Sequence, residues 1–596
     1  MINTFTRIGK RLTIITTLVI LLIAINLKAQ QLSWVKTLGG TNWDYGHSIA
    51  LDGSGNVYTT GEFQGTADFN PGIGTYNLTS AGFADVFISK LDTSGNFVWA
   101  KRIGGGNFDS GESLVIDDSG NVYVTGNFRT TVDFDPSVSG THNITSAGDY
   151  DIFVVKLDVA GNFIWAKSMG GPYADYGISI ALDGSLNVIT TGYFADIVDF
   201  DPGVGTYNLT SAGNVDVFVS KLDNIGNFEW AKKMGGTSSE KAYSIAVDDS
   251  GNVYTTGSFR STADFDPDAT MYQLTATGSN DDIFISKLNA LGDFVWAKQM
   301  VGKPGMTGMY SNNNSDEGRS LALDEDGNVY ITGVFSGTVD FDPGAGVHNL
   351  IIAGGVGAGY DIFVSKLDSA GNFVWAKNMG GINSEYGMFL RLDSNRNIYT
   401  TGYFYGTTDF DPGAGIYNLI APETNSHTFI SKLDSGGNFV WAKQIKSFGG
   451  SDCWAYSLAI NNSDLYIAGA FFGTYDFDPD TTIVNNLTAL GWDVFILKLS
   501  TELPTTLSEK KASNESILVY PNPFNESATI EINSDKNNGQ MKFRMYDLLG
   551  KNIVEYIIPA NSNKFLIHKN NLSKGMYFYS LINEEEVIET GKIVIE

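Results

Sequence analysis

Asp216-Val-Phe-Val-Ser-Lys-Leu-Asp223, Gly226-Asn-Phe-Glu-Trp-Ala-Lys-Lys-Met-Gly-Gly236, Ser244-Ile-Ala-Val-Asp-Asp-Ser-Gly-Asn-Val-Tyr-Thr-Thr-Gly257 and Ala263-Asp-Phe-Asp-Pro267 together make one unit that the chain repeats. Its tryptophan recurs as Trp34, Trp99, Trp165, Trp230, Trp296, Trp375 and Trp441, mostly 65 or 66 residues apart. A fixed period of this kind marks one structural unit stacked many times. Each unit holds four short runs of β-branched and aromatic residues separated by Gly, Asn, Asp and Ser, the pattern of strands and hairpins. In the first full unit the expected strands are Ser48–Asp52, Val57–Phe63, Asp85–Asp92 and Asn96–Lys101. The turns are Asp52-Gly-Ser-Gly-Asn56 and Asp92-Thr-Ser-Gly-Asn96. In such turns Asp accepts backbone N–H bonds and Gly supplies positive φ.

Repeated four-stranded antiparallel sheets, none able to bury both faces alone, predict the blades of a β-propeller. The last unit has Ser457–Ile460, Asp464–Phe472 and Asp493–Leu499 but no Trp-Ala-Lys strand, and Leu32-Ser-Trp-Val-Lys-Thr37 is a fourth strand with no unit before it. Pairing the two predicts an all-β, seven-bladed propeller over 30–500, closed by the N-terminal strand, which removes exposed sheet edges. The stretches Gly55-Asn-Val-Tyr-Thr-Thr-Gly61, Gly120-Asn-Val-Tyr-Val-Thr-Gly126 and Gly251-Asn-Val-Tyr-Thr-Thr-Gly257 resemble the repeats of bacterial seven-bladed propeller proteins of the SBBP type. That resemblance implies the fold and says little about activity. The Lys-Leu-Asp-x-x-Gly-Asn-Phe-x-Trp run is similar to the tryptophan-docking motif of quinoprotein propellers, which staples blades together.

Around this domain the composition changes. Residues 1–29 place Arg7, Lys10 and Arg11 before an apolar stretch from Leu12 to Leu27 and a small residue at Ala29. This is the pattern of a signal peptide cleaved after Ala29; an uncleaved anchor is the other reading. After cleavage no segment is expected to span a membrane. Residues 501–514 read as a polar linker. From 515 to 596 short alternating strands, among them Ala528–Ile532, Met541–Tyr546, Lys564–His568, Gly575–Ile582 and Val587–Ile595, predict a small C-terminal β-sandwich. Val519-Tyr-Pro-Asn-Pro-Phe524, Tyr546-Asp-Leu-Leu-Gly-Lys551, Leu572-Ser-Lys-Gly-Met-Tyr-Phe-Tyr579 and Gly591-Lys-Ile-Val-Ile-Glu596 resemble the type A C-terminal sorting domain of the type IX secretion system of Bacteroidetes. The resemblance implies that Tyr520, Pro521, Asn522, Pro523, Gly550, Lys551, Gly575, Tyr577 and Lys592 belong to the sorting motif. It also implies that the partner is the type IX machinery and the destination the cell surface or the medium.

The net charge is −28, and residues 501–596 contribute 13 acids against 10 bases, so the surplus sits in the repeats. Such a field repels nucleic acid and anionic lipid and favours cations. Cys453 is the only cysteine, which excludes an internal disulfide and a cysteine-based metal site. The five histidines show no metal spacing, and there is neither a Gly-x-Ser-x-Gly elbow nor a phosphate-binding loop.

Two acidic patterns recur. The first is Asp-Phe-Asp/Asn-Pro at Asp68, Asp133, Asp199, Asp264, Asp340, Asp409 and Asp476. Structurally, Phe docks into the sheet and Asp satisfies loop N–H groups; functionally, the carboxylates would suit calcium as a cofactor, although calcium takes 6–8 oxygens and the motif shows two carboxylates. The second is an acid four residues before each first strand: Asp44, Asp109, Asp175, Glu240, Asp316, Glu385 and, near Cys453, Asp452. Each acid either caps its own loop or joins a ring at the mouth of a central channel, where Trp43, Tyr45, Tyr173, Tyr176, Tyr386 and Trp454 would stack on sugar rings. The insertions near 301–314 and 351–359 are expected to be loops carrying individual function. The functional expectation is a non-catalytic secreted or surface module that binds glycan, matrix or a surface protein. The alternative is a carbohydrate-active hydrolase or lyase on the same scaffold.

Overall fold

The computed structural model describes 31–500, apart from 278–279, 303–314, 356–358, 448–450, 462–463 and 480–483. It also describes 517–595, apart from 521–523, 533–540, 547–551, 560–563, 570–571 and 584–585. The expected signal peptide, the linker and the insertion after Gly302 therefore lie outside the described residues. Every described element is a strand, and the chain divides into Met1–Leu503 and Pro504–Glu596.

In the first unit Asp44–Leu51, Val57–Phe63, Asp85–Leu91 and Phe97–Gly105 pair antiparallel in sequence order. Five more sheets repeat this order, with first strands Ser110–Ile116, Tyr176–Leu182, Glu240–Val247, Glu317–Leu323 and Glu385–Leu392. In the seventh, Cys453–Asn461, Asp464–Asp476 and Asn486–Ser500 are joined by Gln31–Gly40, in a register running from Gln31 opposite Ser500 to Leu38 opposite Val494. The N-terminal segment thus supplies the strand that the last unit lacks. First strands begin three or four residues earlier than the hydropathy pattern suggests. Among the described residues no hydrogen-bonded sheet closes on itself.

Three devices join each sheet to the next. The Gly-Gly that ends a fourth strand pairs with the Asp-Phe-Asp-Pro segment of the following sheet, as Gly104 does with Asp133, Gly235 with Asp264 and Gly39 with Asp68. In six of the seven fourth strands the indole packs on the glycine of the next sheet's last turn. At Gly95 (φ 76°) a Cβ would sit 3.0 Å from Trp34, and at Gly292 (φ 83°) 3.1 Å from Trp230, so these turns need glycine for backbone and packing alike. Trp34 and Trp99 also donate Nε1–H to Thr93 and Val159 carbonyls, at 3.3 and 3.2 Å. Finally, each hydrophobic cluster of the large unit draws on two neighbouring sheets. One of them unites Tyr466, Val494 and Ile496 of the last sheet with Ile49, Phe63 and Phe87 of the first.

The C-terminal unit has a three-stranded sheet (Ile517–Tyr520, Ser527–Ile532, Lys564–His568) and a four-stranded one (Asn552–Ile558, Met541–Tyr546, Gly575–Asn583, Glu586–Ile595). Both contribute to one core, in which Ile530 and Ile567 meet Phe543, Leu581 and Ile593. Tyr520 is exposed, and its hydroxyl donates to Glu531 at 2.7 Å. Tyr577 donates to the Ser573 carbonyl at 2.8 Å, and Lys592 lies opposite Phe578. Gly575 opens the Gly575–Asn583 strand; Pro521, Asn522, Pro523, Gly550 and Lys551 lie outside the described residues.

Candidate functional site

The recurring acids turn into their own loops. Asp44, Asp109, Asp175, Glu240, Asp316 and Glu385 are 0–3 % exposed. Five of them accept the N–H of the glycine four residues earlier: Gly40 and Gly105 at 2.8 Å, Gly171 at 2.9 Å, Gly236 at 2.8 Å and Gly381 at 3.0 Å. Asp316 instead takes the Ser336 N–H at 2.8 Å. Burial pushes the carboxyls of Asp44, Asp109, Asp175 and Glu240 up to about 7, that of Glu385 to about 9, and that of Asp316 well above the ordinary range. In the seventh sheet Cys453 stands opposite Phe471 as Asp44 stands opposite Phe63, so Asp452 is displaced by one residue. Its Oδ1 accepts from the Ser426 N–H at 2.8 Å. The first six carboxylates present almost no surface to solvent, whereas Asp452 is half-buried.

A second acid, not singled out by the sequence, opens the third strand: Asp85, Asp151, Asp216, Asp282, Asp361 and Asp493, all buried. Each sits at a sheet junction with one of the acids above. A Cβ on Gly39 would lie 2.5 Å from Asp493 Oδ1 and 3.0 Å from Asp44 Oδ2; one on Gly302 would lie 3.0 Å from Asp316 Oδ2 and 3.2 Å from Asp282 Oδ1. The side-chain space of the Gly-Gly motif is thus filled by carboxyls. Oδ1 of Asp85, Asp151, Asp216, Asp361 and Asp493 is buried without a hydrogen-bond partner. The junction between the sixth and seventh sheets carries His427 and Cys453 in their place. Burial lowers His427 to about 4 and raises the Cys453 thiol to about 12, so neither charges near neutrality and the thiol lacks the thiolate character of a nucleophile.

The Asp-Phe-Asp-Pro carboxylates are likewise engaged. Asp264 Oδ1 accepts the N–H groups of Asp266 and Tyr272 at 3.1 and 2.9 Å, and Phe265 is fully buried. In the hairpin turns Asp52 Oδ1 accepts from Ser54 and Asn56 at 3.0 and 2.9 Å. Among the described residues no three His, Cys, Asp or Glu side chains are placed to hold a metal ion.

Beside the buried acids lie side chains that are mostly half-buried. Two positions at the start of each first strand vary from sheet to sheet: Tyr45/His47, Ser110/Glu112, Tyr176/Ile178, Lys241/Tyr243, Glu317/Arg319, Tyr386/Met388 and Trp454/Tyr456. The position facing them on the second strand varies too, with Glu62, Asn127, Tyr193, Ser258, Val334, Tyr403 and Ala470. Together with Tyr360 and Trp492, several of their aromatic members form an arc of ring contacts. It runs from Tyr360 to Tyr386 (5.7 Å), Tyr403 (4.7 Å), Trp454 (5.8 Å), Trp492 (4.3 Å) and Tyr45 (5.6 Å). A second group, Tyr150, Tyr176 and Tyr193, lines a cavity of ≈ 380 Å³ together with Glu112 and Phe108. Trp43 and Tyr173 are exposed by 62 % and 57 %.

Two ion pairs lie among the charged members. Glu62 lies 4.0 Å from His47 and is pushed up to about 6, chiefly by burial, with Glu112 adding to the rise. Arg319 pairs with Glu317 and lies over the Tyr243 ring at 4.7 Å. Aromatic faces beside carboxylates and hydroxyls are suited to flat, polyhydroxylated ligands. The signal for these residues was present in the sequence as disagreement between repeats at fixed positions, but strand register is needed to read it.

Comparison with known families agrees with this architecture. A beta-propeller repeat model matches residues 33–62, 98–134, 229–258 and 295–334, so the large unit is built of propeller repeats. A secretion system C-terminal sorting domain model matches 518–596, which identifies a protein exported by type IX secretion to the cell surface or the extracellular space. Among curated proteins, an uncharacterised WD repeat-containing protein of Acanthamoeba polyphaga mimivirus is 26 % identical over 422 residues, covering 60 % of this chain and 30 % of its own length. The regulatory protein FlaEY of Caulobacter vibrioides is 26 % identical over 156 residues, covering 26 % of this chain and 16 % of its own. The chain therefore spans less than a third of either relative. The solved structure of Sqt1 from Chaetomium thermophilum is similar at 11 % identity and TM-score 0.36, covering 79 % of this chain and all of that one. A protein of unknown function from Bacteroides caccae is similar at 9 % identity and TM-score 0.27, covering 62 % and 92 %. These scores are too low to assign a shared fold.

Proposed function

We propose that residues 30–500 form a seven-bladed propeller closed by the N-terminal strand, and that the protein is a non-catalytic surface or secreted module of a Bacteroidetes cell. It binds a glycan, or a glycan-bearing matrix or surface protein, at the aromatic face. Ring closure is supported by the pairing of Gln31–Gly40 with Asn486–Ser500 and by the cluster joining the last sheet to the first. The ligand class is supported by one observation, the unbroken aromatic arc from Tyr360 to Tyr45. The buried acids take a structural part in this reading, holding the loops on which the arc stands.

The test is affinity electrophoresis of the full chain in gels cast with different polysaccharides. Retardation by one polymer, left uncut, and its loss in Tyr386→Ala and Trp492→Ala are the expected results. Retardation unchanged in both variants would refute the assignment. A second reading, hydrolysis, draws on Glu62 and Glu112. One carboxyl held up near 6 beside another is the arrangement of a general acid and its partner. Release of reducing ends abolished by Glu62→Gln would favour that reading.

A further inference from the structure

Toward the turn end of the first strands the repeat is broken in one sheet. Six first strands read Ser48-Ile-Ala-Leu51, Ser113-Leu-Val-Ile116, Ser179-Ile-Ala-Leu182, Ser244-Ile-Ala-Val247, Ser320-Leu-Ala-Leu323 and Ser457-Leu-Ala-Ile460. The sixth sheet has Phe389-Leu-Arg-Leu392. These stretches, from all seven sheets, line one cavity of ≈ 530 Å³. Among the described residues its walls are aliphatic groups, serine hydroxyls and the Phe389 ring, with Arg391 the single charged residue.

The serines hold neighbouring sheets together. Ser48 accepts the Leu114 N–H at 3.2 Å, Ser244 that of Leu321 at 3.1 Å and Ser457 that of Ile49 at 3.3 Å. Phe389 gives up this bond. Its ring lies 4.3 Å from the Arg391 guanidinium carbon, which it supports face-on. The two departures from the repeat are therefore one feature: a guanidinium with an aromatic platform beneath it.

This guanidinium is under-used. Nη1 donates to the Leu390 carbonyl at 3.1 Å. No carboxylate lies within ion-pair distance of it among the described residues, whereas Arg319, on the preceding first strand, is paired with Glu317. A guanidinium offers five N–H donors in a planar fork, and that of the half-buried Arg391 leaves most of its fork facing the cavity. The chain carries 66 acids against 38 bases, so a carboxylate for Arg391 was readily available, yet none is placed there.

We propose that Arg391 binds an oxyanion inside this cavity: a carboxylate, sulfate or phosphate group, held by the guanidinium fork and shielded by Phe389. The site lies near the turn end of the strand whose other end carries Tyr386 in the aromatic arc, so it is separate from the glycan face and does not depend on it. Two sources fit the chemistry, a free inorganic anion or the acidic group of a sugar acid.

The test is calorimetric titration of the full chain with sulfate, inorganic phosphate and glucuronate in turn, at constant ionic strength set with chloride. Saturable binding of at least one is expected, weakened tenfold or more in Arg391→Ala. That change restores the residue found in five of the other six strands, so the fold should survive, as circular dichroism would verify. Arg391→Lys keeps the charge without the fork and should bind with intermediate affinity, which keeps the site testable if the alanine variant misfolds. Glucuronate binding without sulfate or phosphate would assign the acidic sugar, and the reverse the inorganic ion. No saturable binding of any of the three, or equal binding by wild type and Arg391→Ala, would overturn the proposal.

Discussion

Replacing Asp493 with Asn should stabilise the protein at pH 8 and do so by clearly less at pH 5. Asp493 and Asp44 are both buried at the junction of the last and first sheets, and both carboxyls are pushed up to about 7, mainly by burial. A group whose folded pKa lies above its unfolded value binds more protons in the native state. Stability is therefore full below about pH 4 and is lost as pH climbs through about 7. For Asp44 a rise from 3.8 to about 7 corresponds to about 4 kcal/mol at about 1.4 kcal/mol per pH unit. The facing oxygens lie 2.5 and 3.0 Å from the same point beside Gly39. They are thus no more than about 5.5 Å apart, and two charges there repel by about 3 kcal/mol at an effective dielectric of about 20.

The Asp493→Asn change removes that repulsion and offers an N–H to Asp44. Its loss is small, because Asp493 Oδ1 has no partner and Oδ2 takes only Thr37 at 3.5 Å. The expected gain at pH 8 is about 2–3 kcal/mol, or about 2–3 °C in Tm for a domain of this size. The assay is scanning calorimetry of the full chain and of Asp493→Asn at both pH values. Equal destabilisation at pH 5 and pH 8 would show that the carboxyl is needed as an anion and would refute the reasoning.

Gly226→Ala forces a side chain into positive φ (85°) and places a Cβ 2.7 Å from Lys167 and 3.3 Å from Trp165; denaturant titration should show a loss of about 1–3 kcal/mol. Phe265→Ala empties a fully buried ring from the Asp-Phe-Asp-Pro latch and should cost about 3–5 kcal/mol in the same titration. Because the latch and turn carboxylates accept backbone N–H groups, Tm should be the same in EDTA as in millimolar calcium; a rise of several degrees with calcium would restore the cage reading.

The repeat, its four strands and its turns are written in local sequence. Asp-Gly-Ser-Gly-Asn turns and alternating β-branched runs act within a few residues of themselves, so Val57–Phe63 and Met541–Tyr546 occur where the pattern puts them. The sorting domain was legible for a related reason, its motifs being short and contiguous. Short strands such as Thr66–Asp68 and Asn77–Thr79 were not, because three residues pairing with a Gly-Gly end carry no periodic signal. Tertiary structure alone decided which acids are buried, since a carboxylate's burial depends on the neighbouring sheet across the junction. It showed Cys453 in register with Asp44, paired Asp493 with Asp44 across almost the whole length of the large unit, and set Arg391 in a cavity made from all seven first strands. Local sequence dictates a unit's own hydrogen bonds. Which face of that unit meets solvent, a neighbour or a ligand is settled only when the units pack together.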